Sequence, residues 1–343
     1  MGDVGEREVR ESRMGRGILE RLASGVVLGD GGYLLELEKR GYVRPGPFTP
    51  EVVIERPEAL LELHREFLHA GAEVLQALTF YASEDKLATV GLSGKVDDIN
   101  RQAVKLARQA ASEGDALVAG DLSLTWAYDG ADACSMARTR DLLARQVAVQ
   151  MEIGVDMFIC ETYIWLGEAL IALECAREAG VPVMVTMGFE DDPVSREGYS
   201  PAECARRLEA AGADIVGINC LRNPAHTLPL MAEVCAAVSC HTGCQPVAYH
   251  TPDAHPNFTK LDAFPFELSP FQLPRSAMAA YALEAREMGI GFIGSCCGSV
   301  AEHVRAMALA LGKIDPDTRP WHIDYGKAQS AFELHKHGLE ARA

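Results

Sequence analysis

The chain has 343 residues, of which 48% are hydrophobic, and a formal net charge of −17. An excess of 49 acidic over 32 basic residues argues against binding to nucleic acids or anionic membranes, because both require a positive surface. The first 15 residues contain no apolar run typical of a signal peptide, and no stretch is apolar for long enough to span a bilayer. We therefore expect a cytoplasmic protein whose ten cysteines are free, metal-bound or catalytic.

Short apolar runs that alternate with segments of helical period predict the fold. The runs lack the polar alternation of half-exposed strands, so we expect strands that are buried on both faces. In chain order they cover residues 25–29, 73–79, 116–120, 156–160, 182–187, 214–219, 246–250 and 290–295. The helical segments include 57–70, 95–112, 141–153, 166–179, 201–211 and 277–288.

Eight alternations of this length predict an α/β fold, a (β/α)8 TIM barrel in a single domain. We assign residues 25–312 to the barrel, 1–24 to a polar N-terminal segment and 313–343 to a short C-terminal segment. Six joints between a predicted helix and the next strand contain a glycine that we expect to end the helix in a left-handed conformation. These are Gly71, Gly114, Gly154, Gly180, Gly212 and Gly289.

The carboxyl ends of the predicted strands carry polar sequences, and the reacting groups of such barrels lie at these ends. The polar ends include Gly29-Asp30-Gly31-Gly32, Thr79-Phe80-Tyr81, Gly120-Asp121, Cys160-Glu161-Thr162, Asn219-Cys220, Tyr249-His250-Thr251 and Ser295-Cys296-Cys297-Gly298. We therefore expect the active site to form where these seven sequences meet.

Three cysteines in this ring predict a metal site. Cys220 follows the sixth predicted strand, and Cys296 and Cys297 follow the eighth. The ends of these strands are close enough in a barrel for three thiolates to converge, and three thiolates with an open fourth position are typical of catalytic zinc. The alternative is that all three are ordinary buried cysteines, which behave as small hydrophobic residues.

A second metal candidate is the sequence Cys240-His241-Thr242-Gly243-Cys244, which is denser in potential ligands. It precedes the seventh predicted strand, so we expect it at the opposite end of the barrel from the active site. Its spacing is unusual for zinc and leaves a structural ion as the alternative interpretation.

Several longer stretches extend these motifs: residues 29–32, 37–43, 80–87, 113–120, 217–220, 248–253 and 294–298. Together they resemble the betaine-homocysteine S-methyltransferases, within the wider homocysteine S-methyltransferase family. The resemblance runs from about residue 25 to residue 322. It implies that Cys220, Cys296 and Cys297 bind zinc.

The resemblance also implies how the amino-acid acceptor is held. Asp30 and Glu161 match the acidic residues that bind the amino group of homocysteine, and Gly31 and Gly32 match glycines whose backbone amides meet its carboxylate. Tyr81 matches a tyrosine that lies beside the metal and can occupy the fourth position when no thiol is bound.

The chain departs from the family's betaine-using pattern at positions around the methyl-donor pocket. Phe48 replaces a tryptophan, Thr162 a tyrosine and Ala77 a threonine. Phe48, Phe80 and Thr162 are nevertheless the expected donor contacts. The chain also ends soon after residues 319–321, without the long extension that supports tetramers in animal relatives. The sequence therefore leaves the oligomeric state undecided, with a homo-oligomer as the candidate.

We expect the protein to transfer a methyl group from betaine, or a similar quaternary ammonium donor, to the thiol of L-homocysteine in methionine biosynthesis. Zinc would turn the thiol into a thiolate, and Phe48, Phe80 and Tyr81 could stabilise the donor cation through their aromatic faces. For Phe48 and Phe80 a plain packing role is the alternative. Two further hypotheses are a sulfonium donor, such as S-methylmethionine or dimethylsulfoniopropionate, and a zinc or thiol sensor without catalysis.

Overall fold

A computed structural model describes residues 16–315 of the protein. Eight parallel strands form one sheet in the order β1-β8-β7-β6-β5-β4-β3-β2, which is the order of a barrel read around its circumference. The strands are β1 Val27–Leu28, β2 Val74–Gln76, β3 Leu117–Ser123, β4 Met157–Tyr163, β5 Val183–Met187, β6 Ile215–Asn219, β7 His241–Gln245 and β8 Phe292–Ile293. The predicted (β/α)8 barrel is confirmed.

Helices connect successive strands and cover the outside of the barrel. They are α1 Ile18–Ser24, α2 Leu34–Lys39, α3 Val52–Glu55, α4 Pro57–Ala70, α5 Glu84–Ala88, α6 Val96–Ala111, α7 Ala133–Ile153, α8 Leu166–Arg177, α9 Pro201–Ala210, α10 Pro224–Ala237, α11 Arg275–Glu287 and α12 Ala301–Ala310. Helix α4, for example, begins with a proline at its first position and ends at Gly71 in the left-handed conformation. Both are favoured residues at those helix positions.

The barrel closes between β1 and β2 through Glu73. The Glu73 N–H donates to the Leu28 carbonyl at 2.8 Å, and the Leu28 N–H donates to the Glu73 side chain at 2.9 Å. Lys313 lies 2.7 Å from the same carboxylate. A side chain thus supplies part of the hydrogen bonding that a longer strand pair would provide.

Helix α1 closes the amino-terminal end of the barrel. Ile18 and Leu22 pack with the inward-facing Val27, Met157 and Phe292, all of them buried. This helix lies within the segment that we assigned to residues 1–24 by its polar composition. Residues 1–15 and 316–343 lie outside the described part of the chain.

The predicted position of β7 at residues 246–250 is wrong. Residues 241–245 pair with β6 in the register Ile215↔His241 to Asn219↔Gln245, so the strand lies five residues earlier. Its sequence, HTGCQ, is too polar to be recognised as a buried strand. Val247 and Tyr249 instead pack with Phe258 and Cys220 in an apolar cluster beyond the strand end.

Strands β3 and β4 extend three residues beyond their predicted ends at residues 120 and 160. Asp121 and Glu161 therefore lie inside these strands. Within residues 16–315, no helix combines the length and the apolar character needed to cross a membrane.

Candidate metal centre and active site

Three thiols meet at the carboxyl end of the barrel, as the sequence predicts. The Sγ atoms of Cys220 and Cys297 are 3.7 Å apart, and those of Cys296 and Cys297 are 3.9 Å apart. All three sulfur atoms lie within 4.8 Å of one another. In the described part of the chain, this is the one group of three or more Cys, His, Asp or Glu side chains with such spacing.

The end of β7 holds both cysteine-bearing turns. The Cys220 N–H donates to the Gln245 carbonyl, and the Cys296 N–H donates to the Pro246 carbonyl, each at 2.9 Å. The Ala248 N–H donates in turn to the carbonyl of Cys297 at 2.9 Å. The segment between the ligand-bearing strands therefore fixes the separation of the thiols.

Hydrogen bonding within the cluster separates the acidities of the thiols. Contacts from Cys296 and Cys297 lower the pKa of the Cys220 thiol well below its usual value. The same contacts with Cys220 raise the pKa of both other thiols. A cation placed among the three sulfur atoms would stabilise them as thiolates.

The second metal candidate, at residues 240–244, does not form a metal-binding group. Most of this sequence is β7 itself, and Cys244 is fully buried in the barrel wall. Burial raises the pKa of the Cys244 thiol to about 12, and within the described residues this sequence belongs to no group of three potential ligands. The expectation that this sequence precedes the strand was wrong for the same reason as the strand position.

A narrow cavity of about 70 Å³ adjoins the thiols. Of the predicted site residues, it is lined by Asp30, Gly31, Gly32, Phe80, Glu161 and the three cysteines. Gln76, Asp121, Gln245 and Ser295 also contribute. A larger groove of about 640 Å³ runs between α10 and α11; of the polar strand ends, only His250 and Thr251 line it, and it contains none of the expected zinc, acceptor or donor residues.

Asp30 is buried at the wall of this cavity. Its Oδ2 atom accepts hydrogen bonds from the Tyr33 hydroxyl at 2.5 Å and from the Gln76 N–H at 2.7 Å. Burial raises the pKa of the Asp30 carboxyl to about 7, although both hydrogen bonds act in the opposite direction. The carboxylate is therefore held in one orientation, but water contributes little to stabilising its charge.

Glu161 faces the cavity from β4. The Gln76 side-chain amide donates to its Oε1 at 2.7 Å, and the Asn219 amide donates to its Oε2 at 2.6 Å. Burial and the nearby Asp121 raise the pKa of Glu161 well above its usual value. Glu161 therefore has both oxygens oriented by amides and has no cationic side chain among these partners.

Asp121 was not among the predicted site residues, although Gly120-Asp121 was recognised as a polar strand end. It is 1% exposed, and its Oδ1 atom has no hydrogen-bond partner within residues 16–315. Burial raises its pKa to about 8. Asp30, Asp121 and Glu161 thus place three acidic groups around one cavity, an arrangement that favours a cationic ligand.

A family model described as homocysteine S-methyltransferase matches residues 27–311. The chain belongs to the homocysteine S-methyltransferase family. It is 43% identical to betaine-homocysteine S-methyltransferase 1 of Xenopus tropicalis, over 96% of this chain and 84% of that protein. It is 41% identical to an S-methylmethionine-homocysteine S-methyltransferase of Pongo abelii, over 96% of this chain and 90% of that protein.

The metallated form of the homocysteine methyltransferase MmuM from Escherichia coli has the same fold. Its TM-score is 0.67 at 19% identity, over 83% of this chain and 96% of that one. The protein is accordingly a methyltransferase that acts on homocysteine, and its three-cysteine cluster lies at the carboxyl end of the barrel.

The residues expected to contact the methyl donor of this homocysteine S-methyltransferase lie around the thiols and the acidic cavity. The Phe80 and Tyr81 rings are 4.2 Å apart between centroids. Phe48 packs in an apolar cluster with Cys296 and Cys297. Thr162 is 6% exposed, and its hydroxyl accepts a hydrogen bond from the Asn219 amide at 2.7 Å.

Lys86 is a site neighbour that the sequence did not reveal. Its ammonium lies 4.1 Å above the Tyr81 ring and 4.0 Å from the Trp126 ring. The side chain is 1% exposed and has no hydrogen-bond partner within residues 16–315, and burial lowers its pKa to about 8. One face of Tyr81 is thus already engaged by a cation.

Backbone strain is concentrated at Cys220 and at the expected methyl-donor contacts. Within residues 16–315, five non-glycine residues have positive φ angles between 50° and 62°: Phe48, Tyr81, Thr162, Cys220 and Leu221. Four of them are predicted site residues and the fifth adjoins Cys220. Such conformations persist where the surrounding structure enforces them, as commonly occurs at active sites.

Gln76 and Asn219 orient the acidic groups and were also missed as functional residues. Gln76 is a polar residue within the otherwise apolar run of residues 74–78, and that interruption was the available signal. Asn219 immediately precedes Cys220, but its contact with Glu161 depends on the pairing of distant strands. No sequence spacing specifies that contact.

Proposed function

We propose that this homocysteine S-methyltransferase binds zinc through Cys220, Cys296 and Cys297. We further propose that it transfers a methyl group from betaine, or a similar quaternary ammonium donor, to L-homocysteine, giving methionine. The observation that carries the proposal is the convergence of three thiols beside a cavity lined by buried acidic groups. The first provides for the acceptor's thiol and the second for its ammonium group.

The donor atoms fit zinc. A zinc–sulfur distance of ~2.3 Å in tetrahedral geometry separates the sulfur atoms by ~3.8 Å. The observed separations of 3.7 Å and 3.9 Å agree with that value. When bound, zinc lowers the pKa of a coordinated thiol, so the acceptor reacts as a thiolate at neutral pH.

The acceptor's ammonium group is assigned to Asp30 and Glu161. Both carboxyl groups are buried and both are fixed by hydrogen bonds, so a cation between them needs little rearrangement of the protein. For the acceptor's carboxylate, the Gly32 amide is engaged with the Ser299 carbonyl at 3.1 Å. The Gly31 amide forms no such bond within residues 16–315 and is the better candidate.

The donor cation is assigned to the aromatic faces of Phe48, Phe80 and Tyr81. The Tyr81 ring already contacts the Lys86 ammonium at 4.1 Å and the Phe80 ring at 4.2 Å, so it has less free surface for the donor. The two aromatic residues beside the thiols, Phe80 and Phe48, would then contribute most of the cation–π stabilisation, at ~0.5–2 kcal/mol each.

A sulfonium donor is the second candidate. The Thr162 hydroxyl accepts from the Asn219 amide at 2.7 Å and donates to Glu161 at 3.5 Å, and Ala77 has no polar group with which to hold a donor carboxylate. Each lost polar partner costs ~1–3 kcal/mol, which is enough to change the preferred donor. The relatives include enzymes named for betaine and for S-methylmethionine, so both classes are represented among similar proteins.

Metal content and methyl transfer test the zinc assignment. We expect about one zinc per chain, and we expect Cys220→Ala, Cys296→Ala or Cys297→Ala to lose both metal and activity while the barrel stays folded. Cys134→Ala at the surface and Cys175→Ala in the core serve as controls that should keep both. A full equivalent of zinc in Cys297→Ala would contradict the assignment.

A donor panel decides between the candidate donors and the sensor hypothesis. At saturating homocysteine, kcat/KM is compared for betaine, dimethylsulfoniopropionate and S-methylmethionine. We expect weakened apparent affinity for betaine and a sulfonium donor that matches or exceeds it. Exclusive use of betaine would show that the replaced positions do not redirect the pocket. Absence of transfer from every donor by the zinc-loaded protein would favour the sensor.

The cytoplasmic location remains part of this proposal. All ten cysteines are free, including the closely spaced thiols of the metal centre. Free thiols of this number are typical of proteins in a reducing compartment.

A further inference from the structure

Two buried polar side chains, Tyr33 and His64, form a hydrogen-bonded series behind Asp30 that the proposed mechanism does not use. Both hydrogen bonds accepted by its carboxylate, from Tyr33 and from the Gln76 backbone, go to Oδ2. Because Asp30 lines the cavity, Oδ1 is the oxygen left for a ligand. By donating to Oδ2, the Tyr33 hydroxyl helps to leave Oδ1 as the carboxylate oxygen available to a ligand in the cavity.

His64 continues the series on the far side of Tyr33. Its Nδ1 atom lies 3.0 Å from the Tyr33 hydroxyl, and its Nε2 atom has no hydrogen-bond partner within residues 16–315. The residue is 0% exposed, and burial lowers its pKa to about 3, so the imidazole is neutral. A neutral imidazole carries one proton, on either Nδ1 or Nε2.

The chemistry of His64, Tyr33 and Asp30 determines which group donates in each hydrogen bond of the series. In the ionised form that binds an ammonium group, the Asp30 carboxylate can only accept hydrogen bonds, so the Tyr33 hydroxyl donates to it. Its oxygen is then free to accept, which requires the proton of His64 to be on Nδ1. The order is His64 Nδ1–H to Tyr33 Oη–H to Asp30 Oδ2, and each donor has one acceptor.

Packing alone does not require these polar groups. The Tyr33 ring meets Phe67 edge-on at 5.1 Å between centroids and meets the His64 ring at 5.0 Å. A phenylalanine at position 33 would preserve both ring contacts. Ring packing therefore does not explain why position 33 carries a hydroxyl or why position 64 carries an imidazole.

We propose that Tyr33 and His64 are positioning residues for the acceptor. They hold Asp30 Oδ2 from behind so that Oδ1 meets the ammonium group of the amino-acid substrate. This inference rests on the proposed role of Asp30, and it adds Tyr33, which also lines the cavity, and His64, which does not line it. Charge-assisted hydrogen bonds to a buried carboxylate are strong enough to have a measurable effect on binding.

The test compares homocysteine with 4-sulfanylbutanoate, the same thiol acid without the amino group. In Tyr33→Phe, we expect KM for homocysteine to rise about tenfold, with kcat within about twofold and zinc content unchanged. The inhibition constant of 4-sulfanylbutanoate should stay the same, because it has no ammonium group for Asp30 to bind. Tyr42→Phe, at an exposed tyrosine, is the matched control.

A pair of substitutions at His64 provides a second arm that does not depend on Tyr33→Phe folding well. His64→Asn keeps an N–H donor near the position of Nδ1, whereas His64→Leu removes it. We expect the asparagine variant to stay close to the wild-type KM and the leucine variant to resemble Tyr33→Phe.

Asp30→Asn separates failure of this inference from failure of the proposed function. If Asp30→Asn weakens homocysteine and the amino-free analogue equally, the ammonium assignment of Asp30 is wrong. If Asp30→Asn affects homocysteine selectively but Tyr33→Phe and His64→Leu do not, Tyr33 and His64 have no positioning role. Equal weakening of both ligands by Tyr33→Phe would also overturn the inference.

Discussion

At the scale of single residues, Asp30 is a proposed ligand of the acceptor's ammonium group whose burial opposes folding. An unfolded aspartate has a pKa of ~3.9, whereas burial raises the pKa of Asp30 to about 7. The folded protein therefore takes up a proton between these values. The stabilisation that protonated Asp30 provides is complete below pH ~4 and is lost as the pH rises through about 7.

We therefore expect Asp30→Asn to stabilise the metal-free protein at pH 8, by about 2–4 kcal/mol, and to have a smaller effect at pH 5. The asparagine oxygen can still accept from Tyr33 and Gln76, so the local hydrogen bonds survive. Denaturant unfolding at both pH values measures the difference. A destabilised variant at pH 8 would show that the buried charge is better compensated than its contacts indicate.

The same substitution should impair function. Asp30→Asn and Glu161→Gln should keep zinc but weaken homocysteine use by ~2–5 kcal/mol, because an ammonium group would lose a charged partner. Zinc content and kcat/KM for homocysteine measure the two effects separately. Wild-type kinetics in both variants would contradict the amino-group role.

Individual elements show what the sequence could and could not predict. Helix α4 was predicted at its observed bounds, because a proline start and a glycine end frame one apolar face. Five of the six predicted glycine caps have a positive φ, whereas Gly114 does not, and Gly154 has an extended ψ of 131°. Helix α6 ends at Ala111, so Gly114 lies beyond its cap and packs against Leu68.

Strand β7 marks the limit of such predictions. Hydrophobic runs identify strands whose two faces are apolar, but Thr242 and Gln245 are polar and still buried. Their burial depends on neighbouring strands, as does the contact between Asn219 and Glu161. The ring of cysteines was predictable because the barrel brings strand ends together, whereas the hydrogen bonds that orient each carboxylate depend on tertiary pairing.

The loops after β1 and β8 touch at Gly32. A Cβ atom at this position would lie 2.8 Å from the Cys296 carbonyl and 3.1 Å from the Cys297 Cα, and neither backbone atom can rotate away. We expect Gly32→Ala to displace the two cysteines and to weaken zinc binding at least tenfold, as measured by competition with a chelator. Gly94→Ala, with no atom within 4 Å of its Cβ, should bind zinc normally.

At the scale of the whole molecule, the proposed zinc site would couple metal binding to the stability of the barrel. Cys220 follows β6, and Cys296 and Cys297 follow β8, so one ion would join two parts of the barrel wall. A ligand that binds only the folded state at 100 times its Kd adds ~2.7 kcal/mol to stability.

We therefore expect zinc removal to lower Tm by about 5 °C and zinc addition to restore it. Differential scanning calorimetry of metal-free and reloaded protein checks this expectation. Cys297→Ala should have the same Tm with and without zinc. An equal response of this variant to zinc would place the stabilising ion elsewhere.

The left-handed turns at Phe48 and Thr162 bear on how enzymes of this fold diverge. Asparagine and glycine adopt that conformation readily, whereas a β-branched residue such as Thr162 adopts it at a cost. Both turns lie outside the thiol cluster and outside the hydrogen bonds of Asp30. Exchange at Phe48 can thus alter a proposed donor contact and leave the acceptor groups in place, whereas exchange at Thr162 also alters a partner of Asn219, which orients Glu161.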